Sequence, residues 1–221
     1  MSDPELHVED DPARTVGELL ADAAHDGSTI VLTGGSTPGR AYEHAAAIEP
    51  DWSKASVWWG DERCVPPDDE RSNYGLAKRT LLDRLDRQPH VHRIRGELDP
   101  ADAAGEYDHA LHGVRLELLL LGLGPDGHVA SLFPRSPQLD EHSRLVTSGP
   151  AGLEPFVDRV TLTLPALLSA ERLVFLVAGA DKAAAVQRAF RDPISEDVPA
   201  SLLRDGSAPI SVYLDPAAAA S

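Results

Sequence analysis

Five short apolar runs constrain this chain more than any other feature: Thr29-Ile30-Val31-Leu32, Val57-Trp58-Trp59, residues 116–121, Leu173-Val174-Phe175-Leu176-Val177 and residues 210–214. They are nearly continuous rather than alternating, so each has to be buried on both faces. Stretches with helical spacing lie between many of them, at 38–48, 72–85, 101–112 and 181–190. An opening helix starts at Asp11-Pro12, with proline in its first turn, and ends at Gly27. Two further strands are predicted at 91–94 and 160–164. The pattern predicts an α/β fold: a single doubly wound, mainly parallel sheet with helices on both faces. It fills one domain over residues 1–221, with 217–221 as a frayed tail. In such folds ligands sit beyond the carboxyl ends of the strands, so the residues after each run are where chemistry is expected.

Charge narrows the partners. The chain carries 36 acidic against 20 basic side chains, a formal net charge of −16, and only three of the basic ones are lysines (Lys54, Lys78, Lys182). Nucleic acid and anionic membrane both need a dense cationic face, so neither is expected as a partner. The longest apolar run is interrupted by Glu117 and is too short to span a bilayer, and the acidic first residues do not form a signal peptide. The single cysteine, Cys64, permits no internal disulfide and no thiolate zinc cage. A cytoplasmic protein, monomeric or weakly homo-oligomeric, is the expectation.

Three loops follow strands and carry candidate groups. After residue 32 comes Thr33-Gly34-Gly35-Ser36-Thr37-Pro38, where glycines expose backbone N–H groups and two hydroxyls precede a helix. That is a phosphate-binding arrangement, or a plain strand-to-helix turn with Thr37 as N-cap. After Trp59 comes Gly60-Asp61-Glu62-Arg63-Cys64. Charges at the end of a buried strand must be paired or used, and Arg63 is suited to an anion or a developing oxyanion. After residue 121 comes Gly122-Leu123-Gly124-Pro125-Asp126-Gly127-His128. This matches a dinucleotide fingerprint literally, but Pro134 interrupts the long helix such a fingerprint must open, and no acidic ribose ligand follows. What remains is a glycine loop that presents Asp126 and His128.

Two cations complete the set. Arg159 opens the 160–164 strand, and Lys182 begins the last long helix, where a lysine opposes the macrodipole unless an anion shares the site. Metal binding is not expected, because His109 and His112 lack a third ligand. No Gly-x-Ser-x-Gly elbow supports a nucleophilic serine.

Taken in order, Gly34-Gly35-Ser36-Thr37-Pro38, Asp61-Glu62-Arg63, Ser72-Asn73, residues 122–134, Arg159-Val160-Thr161-Leu162-Thr163, residues 179–182 and Pro199-Ala200-Ser201 follow one another within residues 33–213. This series resembles the 6-phosphogluconolactonase family, sugar-phosphate lactonases of the pentose phosphate pathway. The resemblance implies a Rossmann-related α/β domain and no cofactor. It further implies a catalytic histidine at His128, with Asp61 and Arg63 near the reacting carbonyl, and phosphate ligands at Gly35, Ser36, Thr37, Arg159 and Lys182. Either Asp61 or Asp126 would orient His128 or Arg63. Val129 stands where threonine or isoleucine is usual, and Gly39-Arg40 replaces an apolar stretch, which could place an extra charge near the phosphate loop. Glucosamine-6-phosphate deaminase is the rival enzyme, but its pattern has an aromatic residue after Asp-Glu and Asn-Glu-Pro after the histidine loop. Here Arg63 and Leu132-Phe133-Pro134 occupy those places. A non-catalytic sugar-phosphate sensor is the third reading; it would tolerate loss of His128.

Overall fold

Each of the five apolar runs becomes a strand of one sheet in the computed structural model, which describes residues 3–220. The first half of the chain holds β1 (Glu5–Val8), α1 (Pro12–Asp26), β2 (Thr29–Leu32), α2 (Ser36–Ile48), β3 (Ser56–Trp59), β4 (Asp61–Arg63), α3 (Asn73–Thr80), β5 (His90–Val91), α4 (Pro100–Leu111) and β6 (Leu118–Leu121). The second half holds β7 (Val146–Gly149), β8 (Arg159–Leu162), α5 (Leu164–Leu168), β9 (Leu173–Val177), α6 (Ala183–Phe190), α7 (Pro199–Leu202), β10 (Ile210–Leu214) and α8 (Pro216–Ala219).

The main sheet has seven strands in the order β1-β10-β9-β6-β2-β3-β5, every neighbouring pair parallel. Every residue of β6, β9 and β10 is buried, as strands covered on both faces require. The chain builds outward from β2 through β3 to β5, then returns to the other side of β2 with β6. The strand order therefore reverses between β2 and β6, and a crevice opens at their carboxyl ends. The two glycine loops, after residue 32 and after residue 121, emerge there side by side.

Several elements depart from the sequence expectation. The apolar run at 160–164 leaves the main sheet: β8 lies in a separate antiparallel sheet of order β4-β8-β7. Its neighbour β4 is the charged Asp61-Glu62-Arg63 segment itself, a strand whose two carboxylates are buried and accept hydrogen bonds from backbone N–H groups and polar side chains. The edge strand β1 lacks an apolar signature because it is half exposed. The 72–85 helix breaks at Leu81 into α3 and a single 3₁₀ turn, Leu82–Arg84. The tail is also better ordered than expected: Pro216–Ala219 forms a helical turn capped by Asp215, with Ala218 fully buried. Ser221 lies outside the described residues.

At the amino end of β2, remote from the crevice, Gly27 ends α1 at φ 82° and ψ 27°, and its N–H reaches the carbonyls of Ala23 and Ala24. A side chain in this left-handed conformation costs about 1–2 kcal/mol. Gly27→Ala is therefore expected to lower the denaturation midpoint by an equivalent amount and leave activity unchanged, which chemical unfolding and a rate assay would check.

Candidate active site

The crevice between β2 and β6 is a cleft of about 460 Å³, within the range that holds small ligands. It gathers residues from the loops after β2, β6 and β9, from β4, from the start of α3, and from the 153–159 stretch that leads into β8.

The first loop is tied at its root. Thr33 donates its N–H to the Tyr42 hydroxyl at 2.9 Å and accepts that hydroxyl's proton on its own carbonyl at 2.6 Å. The helix begins two residues earlier than its spacing suggested, with Gly35 as N-cap, so Ser36 and Thr37 lie inside the first turn of α2 rather than before it. Gly35, Ser36 and Thr37 line the cleft, at the positive end of the helix macrodipole. Arg40 does not join them, because it is turned outward onto Asp11 at 3.1 Å.

The third loop fixes His128. Gly127, at φ 94°, turns the chain so that Asp126 Oδ1 accepts both the His128 backbone N–H, at 3.1 Å, and a hydrogen bond with Nδ1, at 2.6 Å. Burial alone would raise the Asp126 carboxyl, but its hydrogen bond with His128 and the imidazole's charge hold it below its ordinary value. An ionised carboxylate only accepts, so the proton of neutral His128 sits on Nδ1 and Nε2 is left as the basic nitrogen. Gly124 passes so close that a Cβ on it would stand 2.0 Å from Nδ1. Phe133 completes the surroundings, with ring centroids 4.8 Å apart at an interplanar angle of 49°.

Of the two carboxylates left open as orienters of His128 or Arg63, Asp126 bonds to the His128 ring and, among the described residues, Asp61 does not. Asp61 is buried at 6 % exposure and accepts instead from Ser131 Oγ at 2.6 Å and Asn73 Nδ2 at 3.1 Å. Its neighbour Glu62, at 2 % exposure, takes the backbone N–H groups of Arg63, Asn73 and Tyr74 at 2.7–2.8 Å and the Ser72 hydroxyl at 3.0 Å. Burial pushes its carboxyl up, opposed by these N–H donors. Glu62 thereby anchors the start of α3 and with it Asn73. Ser131 and Tyr42 had no role in the sequence reading, since the groups they bond lie 70 and 9 residues away.

The cations converge. Arg63 and Arg159 face each other in register across β4 and β8, and both line the cleft. Like charges placed opposite repel, yet among the described residues neither forms an ion pair. Arg159, 4 % exposed, donates to the carbonyls of Val157 and Pro155 at 3.0 and 2.9 Å. Burial and the nearby Arg63 charge lower its guanidinium pKa. Arg63 donates Nη1 to the Arg71 carbonyl, while its buried Nε has no partner. Lys182 ends the 3₁₀ turn Ala180–Lys182 and is the N-cap of α6, and among the described residues its one ion pair is with Asp181 at 3.7 Å. Cys64 is half-buried just beyond, its thiol pushed up to about 11 mainly by burial, so it is not a thiolate nucleophile near neutral pH. Among the described residues no three His, Cys, Asp or Glu side chains converge as metal ligands, and no helix is long and apolar enough to cross a membrane.

Residues 6–211 match the family described as glucosamine-6-phosphate isomerases/6-phosphogluconolactonase. The chain belongs to this family. A 6-phosphogluconolactonase of Streptomyces coelicolor is 36 % identical over 98 % of this chain and 91 % of its own. One from Synechocystis is 40 % identical over 73 % of this chain and 71 % of its own. The crystal structure of 6-phosphogluconolactonase from Leishmania guyanensis superposes with a TM-score of 0.84 at 28 % identity, covering 97 % of both chains. The lactonase-family resemblance and the doubly wound, mainly parallel fold expected from the sequence are both borne out.

Proposed function

We propose that the chain hydrolyses 6-phospho-D-glucono-1,5-lactone to 6-phospho-D-gluconate. The observation that carries this reading is the pairing of a basic His128 Nε2 with two unpaired arginines in one cleft, on a chain whose relatives bear the lactonase name. Opening a lactone needs an activated water, a stabilised oxyanion and a proton for the leaving ring oxygen. His128 takes the proton of the attacking water on Nε2 and returns it to the ring oxygen, while Asp126 steadies the imidazolium through Nδ1. Arg63, with the N–H groups of the 122–128 loop, stabilises the tetrahedral oxyanion. Gly35, Ser36, Thr37, Arg159 and Lys182 hold the phosphate, so that binding at a remote group fixes the carbonyl. Asp61, held by Asn73 and Ser131, supports the floor of the cleft beside Arg63.

The 1–221 chain is read as one working domain in the cytoplasm, monomeric or weakly homo-oligomeric, without nucleic-acid or membrane partners. The test is hydrolysis of freshly made 6-phosphogluconolactone followed against its spontaneous background. Acceleration is expected. A rate equal to the background, or release of ammonia from glucosamine 6-phosphate in its place, would overturn the reading.

A further inference from the structure

We infer that Phe133 is a positioning residue for His128: with Gly124 and Asp126 it holds the imidazole so that Nε2 keeps one direction in the cleft. The kinetic part of this inference rests on the lactonase reading above. The hydrogen bond at Nδ1 fixes one ring atom, but the ring torsion of histidine is intrinsically broad. Two further contacts remove that freedom. The Gly124 backbone lies where a Cβ would be 2.0 Å from Nδ1 and 2.2 Å from Cε1. The Phe133 ring lies 4.8 Å from the imidazole, tilted by 49°.

Phe133 is itself held. It is 5 % exposed, and Gly152 passes so near that a Cβ there would stand 2.8 Å from Phe133 Cγ and 2.9 Å from its Cβ. Gly152 belongs to the segment 150–158, which also supplies Leu153 and Glu154 to the cleft wall and the two carbonyls on which Arg159 rests. The imidazole is thus supported by a ring whose far side is supported by the wall of the same cleft. Phe133 touches no reacting atom in the proposed mechanism and acts only through His128.

The experiment compares Phe133→Leu, Phe133→Tyr and Gly152→Ala with the wild-type protein. Phe133→Leu is expected to lower kcat by about 10–10²-fold, the upper end being what a catalytic group misplaced by about 1 Å can cost, with KM held within about twofold. Phe133→Tyr keeps the ring and is expected to restore most of kcat. Gly152→Ala adds a methyl at an exposed position that presses on Phe133. It is expected to lower kcat in the same way in a protein that still folds at the assay temperature, as a thermal melt checks, and it decides the matter if Phe133→Leu does not fold. Nitrogen-15 shifts of the His128 imidazole give a readout independent of turnover. The wild-type ring should show one tautomer, protonated at Nδ1, and Phe133→Leu should draw the two nitrogen shifts together. Wild-type kcat in both Phe133→Leu and Gly152→Ala, a loss confined to KM, or unchanged nitrogen shifts would overturn the assignment. Should the wild-type protein fail to accelerate lactone hydrolysis, the functional reading falls and the nitrogen shifts alone decide the role of Phe133.

Discussion

His128→Ala is expected to lower kcat for lactone hydrolysis by about 10²–10⁴-fold, the range for removing a general base, with a far smaller change in KM. The size follows from how much of the chemistry passes through one atom. Nε2 is the free ring nitrogen, because Nδ1 is engaged by Asp126 at 2.6 Å. Among the described residues no other imidazole lies in the cleft, and the one thiol nearby is held protonated at neutral pH by burial. Folding should be little affected, since the His128 side chain is 21 % exposed and sits on a loop rather than in the sheet. Rates at saturating lactone, corrected for spontaneous opening, with a thermal melt as control, make the measurement. An unchanged kcat would remove His128 from the mechanism.

Lys182→Ala should act on the other half of the substrate. A hydrogen bond to a charged group contributes about 1.5–3 kcal/mol, so its loss should raise KM for the phosphorylated lactone about 10–100-fold. Hydrolysis of unphosphorylated glucono-1,5-lactone should be nearly untouched, so the preference for the phosphorylated substrate collapses. The geometry supports this: the Lys182 side chain is 24 % exposed, at the N-cap of α6, and among the described residues its one ion pair, with Asp181, spans 3.7 Å. A chain of net charge −16 repels a sugar phosphate at long range, so the cations of the cleft must supply the attraction locally. If the preference survives the substitution, the phosphate lies elsewhere, and Arg159 with the Ser36-Thr37 turn becomes the next place to test.

The sequence made the main sheet legible because a strand covered on both faces has little choice of composition; residues 29–32 and 173–177 could hardly be anything else. The loops between β2 and α2 and after β6 were legible for a related reason, since glycine where backbone must meet a ligand leaves a visible trace. The second sheet was not. β4 is three charged residues, and such a segment becomes a strand only because Ser72, Asn73, Ser131 and backbone N–H groups brought from elsewhere satisfy its carboxylates. Those partners are 10 to 70 residues distant, and local pattern carries no information at that range. The same limit kept Asp61 and Asp126 apart as unresolved alternatives. Asp126 reaches His128 through a two-residue turn whose outcome depends on Gly127 adopting φ 94°, while Asp61 is drawn away by Asn73 and Ser131.

Tyr42 extends from α2 back to the loop that precedes its own helix, and one hydroxyl satisfies both backbone groups of Thr33. At 0 % exposure it is not free to let go, and burial raises its pKa far enough that it stays a protonated donor at any working pH. The root of this glycine loop is therefore already closed into a small ring before a ligand arrives. An anion that meets Gly35, Ser36 and Thr37 does not have to freeze that root as it binds, and the conformational entropy a slack glycine turn would lose on association has already been lost during folding.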